Sequence, residues 1–267
     1  MPLETYGDPN QMSERRERIE DKIKNFQAKV AEKFKGENLT KIEAALDFML
    51  KVHLPQKDRV DGEPFASHPL AVAEKVMELS DNPELIIAAL IHDSVEDQPD
   101  YIFAERVNRK YPDKQYLQFN IDATSKLRYR EIFKDWSFRE IKERFGDTVR
   151  YYTANMTNHD FNSLAESLGL TGEAKQNFIN QAYGEHVEDI MSDPELFTLK
   201  LADLSVNIDL HSLDPSGEKY QKLKRKYKSV IEAFLIKLKG LPEHHPLYPK
   251  KTEAIETLEK IYNEQYR

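Results

Sequence analysis

Leu85-Ile86-Ile87-Ala88-Ala89-Leu90-Ile91-His92-Asp93-Ser94-Val95-Glu96-Asp97 is the stretch that decides the fold. Its apolar run is far shorter than the roughly 18 residues a membrane span needs, and it suits a helix buried in the centre of a domain. Asp81-Asn82-Pro83-Glu84 opens that helix, with proline in the first turn. The run ends abruptly in ionisable side chains. Residues three and four apart share a helical face, so Asp93, Glu96 and Asp97 are expected to point the same way. Carboxylates crowded there repel one another unless a cation lies between them. His92 supplies a neutral nitrogen ligand beside them.

Outward from this segment the pattern stays helical. Upstream, a charged stretch from Ser13 to about Lys35 carries Ile19, Ile23, Phe26, Val30 and Phe34 at helical intervals. Thr40 reads as the N-cap of a second helix bearing Ile42, Ala45, Leu46, Met49 and Leu50. Pro55 to Pro64 reads as a loop centred on Asp61-Gly62, after which His68-Pro69 opens another helix. Downstream, helix-period residues run from Tyr101 to Arg150, with breaks expected at Pro112 and at the polar run Asp122 to Arg130. Phe145-Gly146-Asp147 marks a turn. Further helices are expected over 164–201, over about 216–240, and from about Thr252. The expectation is an all-α, single-domain helical bundle over residues 1–267. Its motif core covers about 42–213, its N-terminal helix about 13–35, and its C-terminal helices about 216–265.

Composition narrows the function. Charged residues make up 32% of the chain, yet they are distributed through periodic apolar patterns, as in a well-solvated helical protein. The formal charge of −8 argues against non-specific nucleic-acid binding, which draws on a basic surface. An anionic small molecule remains compatible, because a bound cation reverses the field inside a cleft. With no cysteine in the chain, disulfides, thiolate metal sites and cysteine nucleophiles are excluded. Met1 to Tyr6 lacks the basic start and apolar run of a signal peptide, so a cytoplasmic location with no membrane contact is expected.

Two remote pieces complete the chemistry. Phe197-Thr198-Leu199-Lys200-Leu201-Ala202-Asp203 is an apolar helical segment interrupted by Asp203, with Asn207 four residues later on the same face. His68 begins a helix after the loop Arg59-Val60-Asp61-Gly62-Glu63-Pro64. Arg59…Gly62-Glu63-Pro64-Phe65…His68-Pro69-Leu70-Ala71-Val72-Ala73, then Ala88 to Asp97, Phe145-Gly146, Lys200-Leu201-Ala202-Asp203 and Asn207 stand in an order that closely resembles the HD hydrolase domain of Rel/Spo proteins. The resemblance is especially to stand-alone small alarmone hydrolases, and it covers roughly Ile42 to Leu213.

The resemblance implies an HD-type helical bundle holding one metal, usually manganese, on His68, His92, Asp93 and Asp203. It implies that Glu96 and Asp97 act on the attacking water, and that Arg59 and Asn207 contact the nucleotide. The reaction implied is removal of pyrophosphate from the 3′ position of guanosine 3′,5′-bis(diphosphate). Mixed N/O ligands suit manganese or another divalent cation, zinc included. Such a cation lowers the pKa of water and polarises a phosphoryl oxygen, while a carboxylate such as Glu96 takes the proton.

The pattern also departs from the family. Leu204 and Val60 stand where basic residues are usual, and Asp209 and Leu210 where arginine and threonine are preferred. A pocket less sharply selective for the base is expected. Two alternatives accompany the main reading. One is hydrolysis of another nucleotide: an adenosine alarmone, a nucleoside monophosphate or a phosphorylated dinucleotide cofactor. The other is a non-catalytic sensor or antitoxin, disfavoured by the intact Glu96-Asp97 pair. His53, His159, His186, His211, His244 and His245 read as structural. The basic stretch Lys219 to Lys239 reads as a solvated face on a packed helix.

Overall fold

The computed structural model describes the backbone of residues 8–59, 62–111, 123–211 and 213–267, and their side chains apart from those of 123–128. Every regular element among them is helical, as the all-α expectation requires. Val60, Asp61, Pro112 and the N-terminal segment Met1 to Tyr6 lie outside the described residues. Two compact units are present: Met1–Glu74 with Asn82–Thr157, and Lys75–Asp81 with Asn158–Arg267. No described helix is long and apolar enough to cross a membrane.

In the first unit the charged N-terminal stretch forms two helices, α1 (Pro9–Arg18) and α2 (Glu20–Lys33). The start precedes the expected Ser13 because the Asp8 carboxylate caps Asn10 N at 2.9 Å and Pro9 fills the first turn. The helix then breaks at Ile19 (φ −114°, ψ 10°). Helix α3 (Gly36–His53) likewise starts before the expected cap Thr40, whose hydroxyl instead donates to the Gly36 carbonyl within the helix. Gly36 has φ +59°, a conformation that costs a glycine little.

Helix α4 (Ser67–Leu79) follows the loop, its last residues grouping with the second unit. Helix α5 (Pro83–Ile91) is capped by the Asn82 side chain on Glu84 N. Leu85 through Ile91 are at most 1% exposed, so the apolar run is buried on every side. Each leucine and isoleucine of the run contributes about 1.5–3 kcal/mol of transfer free energy. It packs against α3 and α9 (Asp147–Met156). Gly146, at φ +96°, makes the turn before α9.

Helix α6 (Ser94–Asp97) leads into α7 (Pro99–Lys110). Helix α8 spans Ala123–Phe145, so residues Ala123 to Arg130 of the polar run expected to interrupt the pattern instead form its first turns, and Asp122 lies outside the described residues. Glu140, 1% exposed, binds Arg106 at 2.8 Å and Arg109 at 2.7 Å, which ties α7 to α8. Burying that carboxylate is tolerable only because guanidinium groups meet it.

The second unit contains α10 (Phe161–Ser167), α11 (Gly172–Ile190), α12 (Pro194–Asn207), α13 (Glu218–Lys239) and α14 (Lys251–Ile261). Asp193 caps α12 by accepting from Glu195 N and Leu196 N. Tyr227, Val230, Ile231, Phe234 and Leu238 form the buried face of basic α13, and Phe234 stacks on Phe197 of α12 at 5.1 Å. The chain's last turn fastens onto the end of α12: Tyr266 Oη donates to Ile208 O at 3.0 Å and Leu210 N to Gln265 Oε1 at 2.7 Å. That clamp fixes the C-terminal end of the helix bearing Asp203.

Candidate metal centre

Helix α5 stops at Ile91, and His92-Asp93 forms a turn before α6. The helix is therefore interrupted within the motif, although Asp97 N donates to Asp93 O at 2.9 Å and preserves helical spacing between them. His68 lies in the first turn of α4 and is 5% exposed; His92 is 3% exposed. Their rings lie 5.4 Å apart, and their ligand atoms are within 4.8 Å of each other. His68 Nε2 is 3.4 Å from Asp93 Oδ2, and His92 Nε2 is 3.2 Å from Asp93 Oδ1.

The tautomer of His92 decides what this cluster can hold. Its Nδ1–H donates to the Ala89 carbonyl at 2.8 Å, so Nε2 is the nitrogen with a lone pair. That nitrogen faces a carboxylate oxygen, and two acceptors so close call for a positive charge between them. Two imidazoles and a carboxylate, with no thiolate, form a donor set that fits a borderline divalent cation.

Glu96 and Asp97 occupy the adjoining turn. Withdrawal from water and then the charges of Asp93 and Glu96 push the Asp97 carboxyl above the ordinary carboxylate range. Gln56, which hydrogen-bonds Asp97, also meets the fully buried His53 through Nδ1. His53 reaches Ser94 Oγ at 3.1 Å through Nε2 and stacks on Phe65 at 5.1 Å. Burial pushes its pKa down to about 4, so it packs as a neutral ring.

Arg59 sits on the loop before α4, where Arg59 N donates to Glu63 O and Gly62 N to Arg59 O. Helices α1 and α2 pin this loop through Arg15 and Arg18 on Asp58 and Lys22 on Glu63. The charged N-terminal stretch is thus a brace for the loop carrying Arg59.

Asp203 and Asn207 belong to the second unit, on α12. Asp203 is 5% exposed, and Asn207 Nδ2 donates to its Oδ1 at 2.6 Å, which agrees with the shared face read from their spacing. Leu204 and Leu210 are 1% and 2% exposed, so these departures from the family pattern are core residues. Asp209 turns outward against His211 at 2.7 Å.

Two neighbours of these residues escaped the sequence reading. Arg130, near the start of α8, donates from Nη2 to the Glu96 carbonyl at 2.8 Å, and no local spacing signals a contact between residues so far apart. Lys200 pairs with Asp203 at 2.9 Å, and its i,i+3 spacing on a helix was a usable signal. Burial opposes the Lys200 ammonium, but Asp203 overrides it and holds the pKa above the ordinary lysine value.

No family model matches the chain. A guanosine-3′,5′-bis(diphosphate) 3′-pyrophosphohydrolase of Aquifex aeolicus (strain VF5) is 29% identical over 168 residues, which is 62% of this chain and 17% of that protein. A probable enzyme of the same name from Mycoplasma pneumoniae is 40% identical over 74 residues, 28% of this chain and 10% of that protein. The chain is similar to the Rel/Spo hydrolases. A GTP pyrophosphokinase of Streptomyces coelicolor is also 40% identical, over 65 residues covering 24% of this chain and 8% of that protein. The chain thus spans less than a fifth of the length of these curated Rel/Spo relatives.

Proposed function

We propose that this chain is a metal-dependent phosphohydrolase that removes the 3′-pyrophosphate of guanosine 3′,5′-bis(diphosphate). The observation that carries the reading is the convergence of the buried His68 and His92 Nε2 atoms on the half-buried Asp93 carboxylate, next to a turn bearing Glu96 and Asp97. The activity of the similar pyrophosphohydrolases supports the substrate class.

In this reading His68, His92, Asp93 and Asp203 hold one divalent cation, manganese before others. Such a cation, when bound, polarises a phosphoryl oxygen and lowers the pKa of water. The protein's side chains do the rest. Glu96 accepts a proton from the water that attacks the phosphorus attached to the 3′ oxygen. The bond between that phosphorus and the 3′ oxygen breaks, diphosphate leaves with the oxygen of water, and the 3′ oxygen regains a proton. Asp97, on the same turn, shares the proton with Glu96. Arg59 and Asn207 contact the nucleotide. A small phosphorylated nucleotide is the partner, with no nucleic acid or membrane involved, and the setting is cytoplasmic.

The test incubates the manganese-loaded protein with guanosine and adenosine alarmones, nucleoside monophosphates and phosphorylated dinucleotides, with products resolved by chromatography. Diphosphate and the 3′-hydroxyl nucleotide are expected from the guanosine alarmone. Turnover confined to a monophosphate would reassign the substrate.

A further inference from the structure

Lys200 and Asp203 form an ion pair inside α12 whose side chains are only 4% and 7% exposed. The ammonium holds Oδ2 at 2.9 Å while Asn207 holds Oδ1 at 2.6 Å, so both carboxylate oxygens accept a hydrogen bond from their own helix. Tyr183 of α11 presents its ring to the same ammonium at 5.6 Å, and Lys226 of α13 lies over that ring at 4.2 Å. The buried ammonium therefore lies beside the Tyr183 ring, with Asp203 as its close counter-charge.

A buried pair of this kind is weak ground for stability, because apolar residues of similar volume commonly serve as well. Its use is specific to Asp203. The groups behind a metal ligand fix its orientation and set its donor strength. Here the group behind the carboxylate carries a full positive charge, which opposes a second cation on the same carboxylate.

We infer that Lys200 is a positioning residue that fixes the Asp203 carboxylate on its own helix as a resident counter-ion and lowers the affinity for a cation held by that carboxylate. The inference rests on Asp203 being a metal ligand. The ammonium compensates the buried Asp203 carboxylate from within its own helix, and a cation on that carboxylate would have to share it with a like charge.

The experiment measures Mn2+ binding directly, by electron paramagnetic resonance of the free ion, with thermal melting in chelator and in saturating Mn2+. Lys200→Met and Lys200→Gln should each lower the Kd for Mn2+ by about tenfold or more, since a like charge is removed from beside the site. Both should melt lower than wild type in chelator and regain the difference in Mn2+, while Lys200→Arg stays near wild type in both measurements. Lys200→Gln retains a hydrogen-bond donor for Asp203 and carries the test if Lys200→Met fails to fold. An unchanged or weaker Mn2+ Kd in the neutral variants, with binding abolished by Asp203→Asn, would overturn the inference alone. Failure of both neutral variants to fold even in saturating Mn2+ would overturn it too, because the cation could then not replace the ammonium. Unchanged Mn2+ binding by Asp203→Asn would remove Asp203 from the ligand set, and the inference with it.

Discussion

His92 and Ala89 share a hydrogen bond of 2.8 Å, Nδ1 to carbonyl oxygen, and it fixes which nitrogen of that imidazole faces Asp93. The bond exists because α5 ends at Ile91 with its last carbonyls unused, a shortage every helix terminus has to meet. A packing solution at a helix end thereby orients the imidazole proposed as a metal ligand. One manganese per chain is expected by elemental analysis of wild type, and none in His92→Ala or Asp203→Ala. Chelation should lower the wild-type melting temperature and leave those variants unchanged, since binding to the folded state alone is linked to stability. Full metal occupancy in both variants would remove the proposed site.

Glu96 separates binding from chemistry. It lies one turn beyond Asp93, and its carbonyl is held by Arg130, so its backbone is anchored independently of any cation. Glu96→Gln should keep the metal and lose roughly 10²-fold or more in kcat, the scale of a lost general base. Near-wild-type turnover would take that role from it.

Much of this arrangement was legible in the residues. The run from Leu85 to Ile91 could only be a fully buried helix, and Asn82-Pro83 announced its start through cap chemistry that is entirely local. Asp203 and Asn207 were placed on one face by their spacing alone. What escaped was set by distant contacts or by competing local choices. Thr40 is a good cap by type, but the helix begins at Gly36 and leaves Thr40 inside it. The polar run from Asp122 lacks an apolar stripe, yet it continues into α8, whose later turns are held by the Glu140 arginine cluster. Lys200 was readable in principle, but a lysine within an apolar helix suggests a charge extended to solvent rather than one buried against an aspartate.

Acid should destabilise the protein through His53, which is fully buried, and His186, which is half-buried. His53 and His186 both have pKa values pushed down from 6.5 to about 4, chiefly by burial. Between those limits the unfolded chain binds protons that the folded chain does not. Stability from these groups is therefore present above pH 6.5 and lost as pH falls toward 4, at most about 1.4 kcal/mol per pH unit for His53. Asp97 acts in the opposite sense, since its raised pKa makes the folded metal-free state bind the extra proton. The informative quantity is thus wild type minus His186→Gln, from denaturant melts every half unit of pH. That difference should shrink steadily below pH 6.5, and a difference flat from pH 7 to 4 would contradict the burial of His186.

The last prediction concerns what the pocket recognises. Arg59 is carried on a loop braced from α1 and α2 by Arg15, Arg18 and Lys22, which limits its reach before any ligand arrives. Leu204 and Leu210 are core residues, so neither offers a polar group that a wrong base would leave unsatisfied. Selectivity between bases depends on such penalties. Activity on the guanosine alarmone should accordingly be accompanied by measurable activity on its adenosine counterpart, compared as kcat/KM under manganese. Arg59→Ala should raise KM more than it lowers kcat on both compounds, because a contact to base or phosphate acts in ground and transition states alike. Relaxing the brace by Asp58→Ala should move KM in the same direction by a smaller factor, since it frees the loop without removing the guanidinium. Strict guanine selectivity would refute the relaxed pocket while leaving the hydrolase reading in place. A fall in kcat at constant KM for Arg59→Ala would move that residue from nucleotide binding into the chemical step.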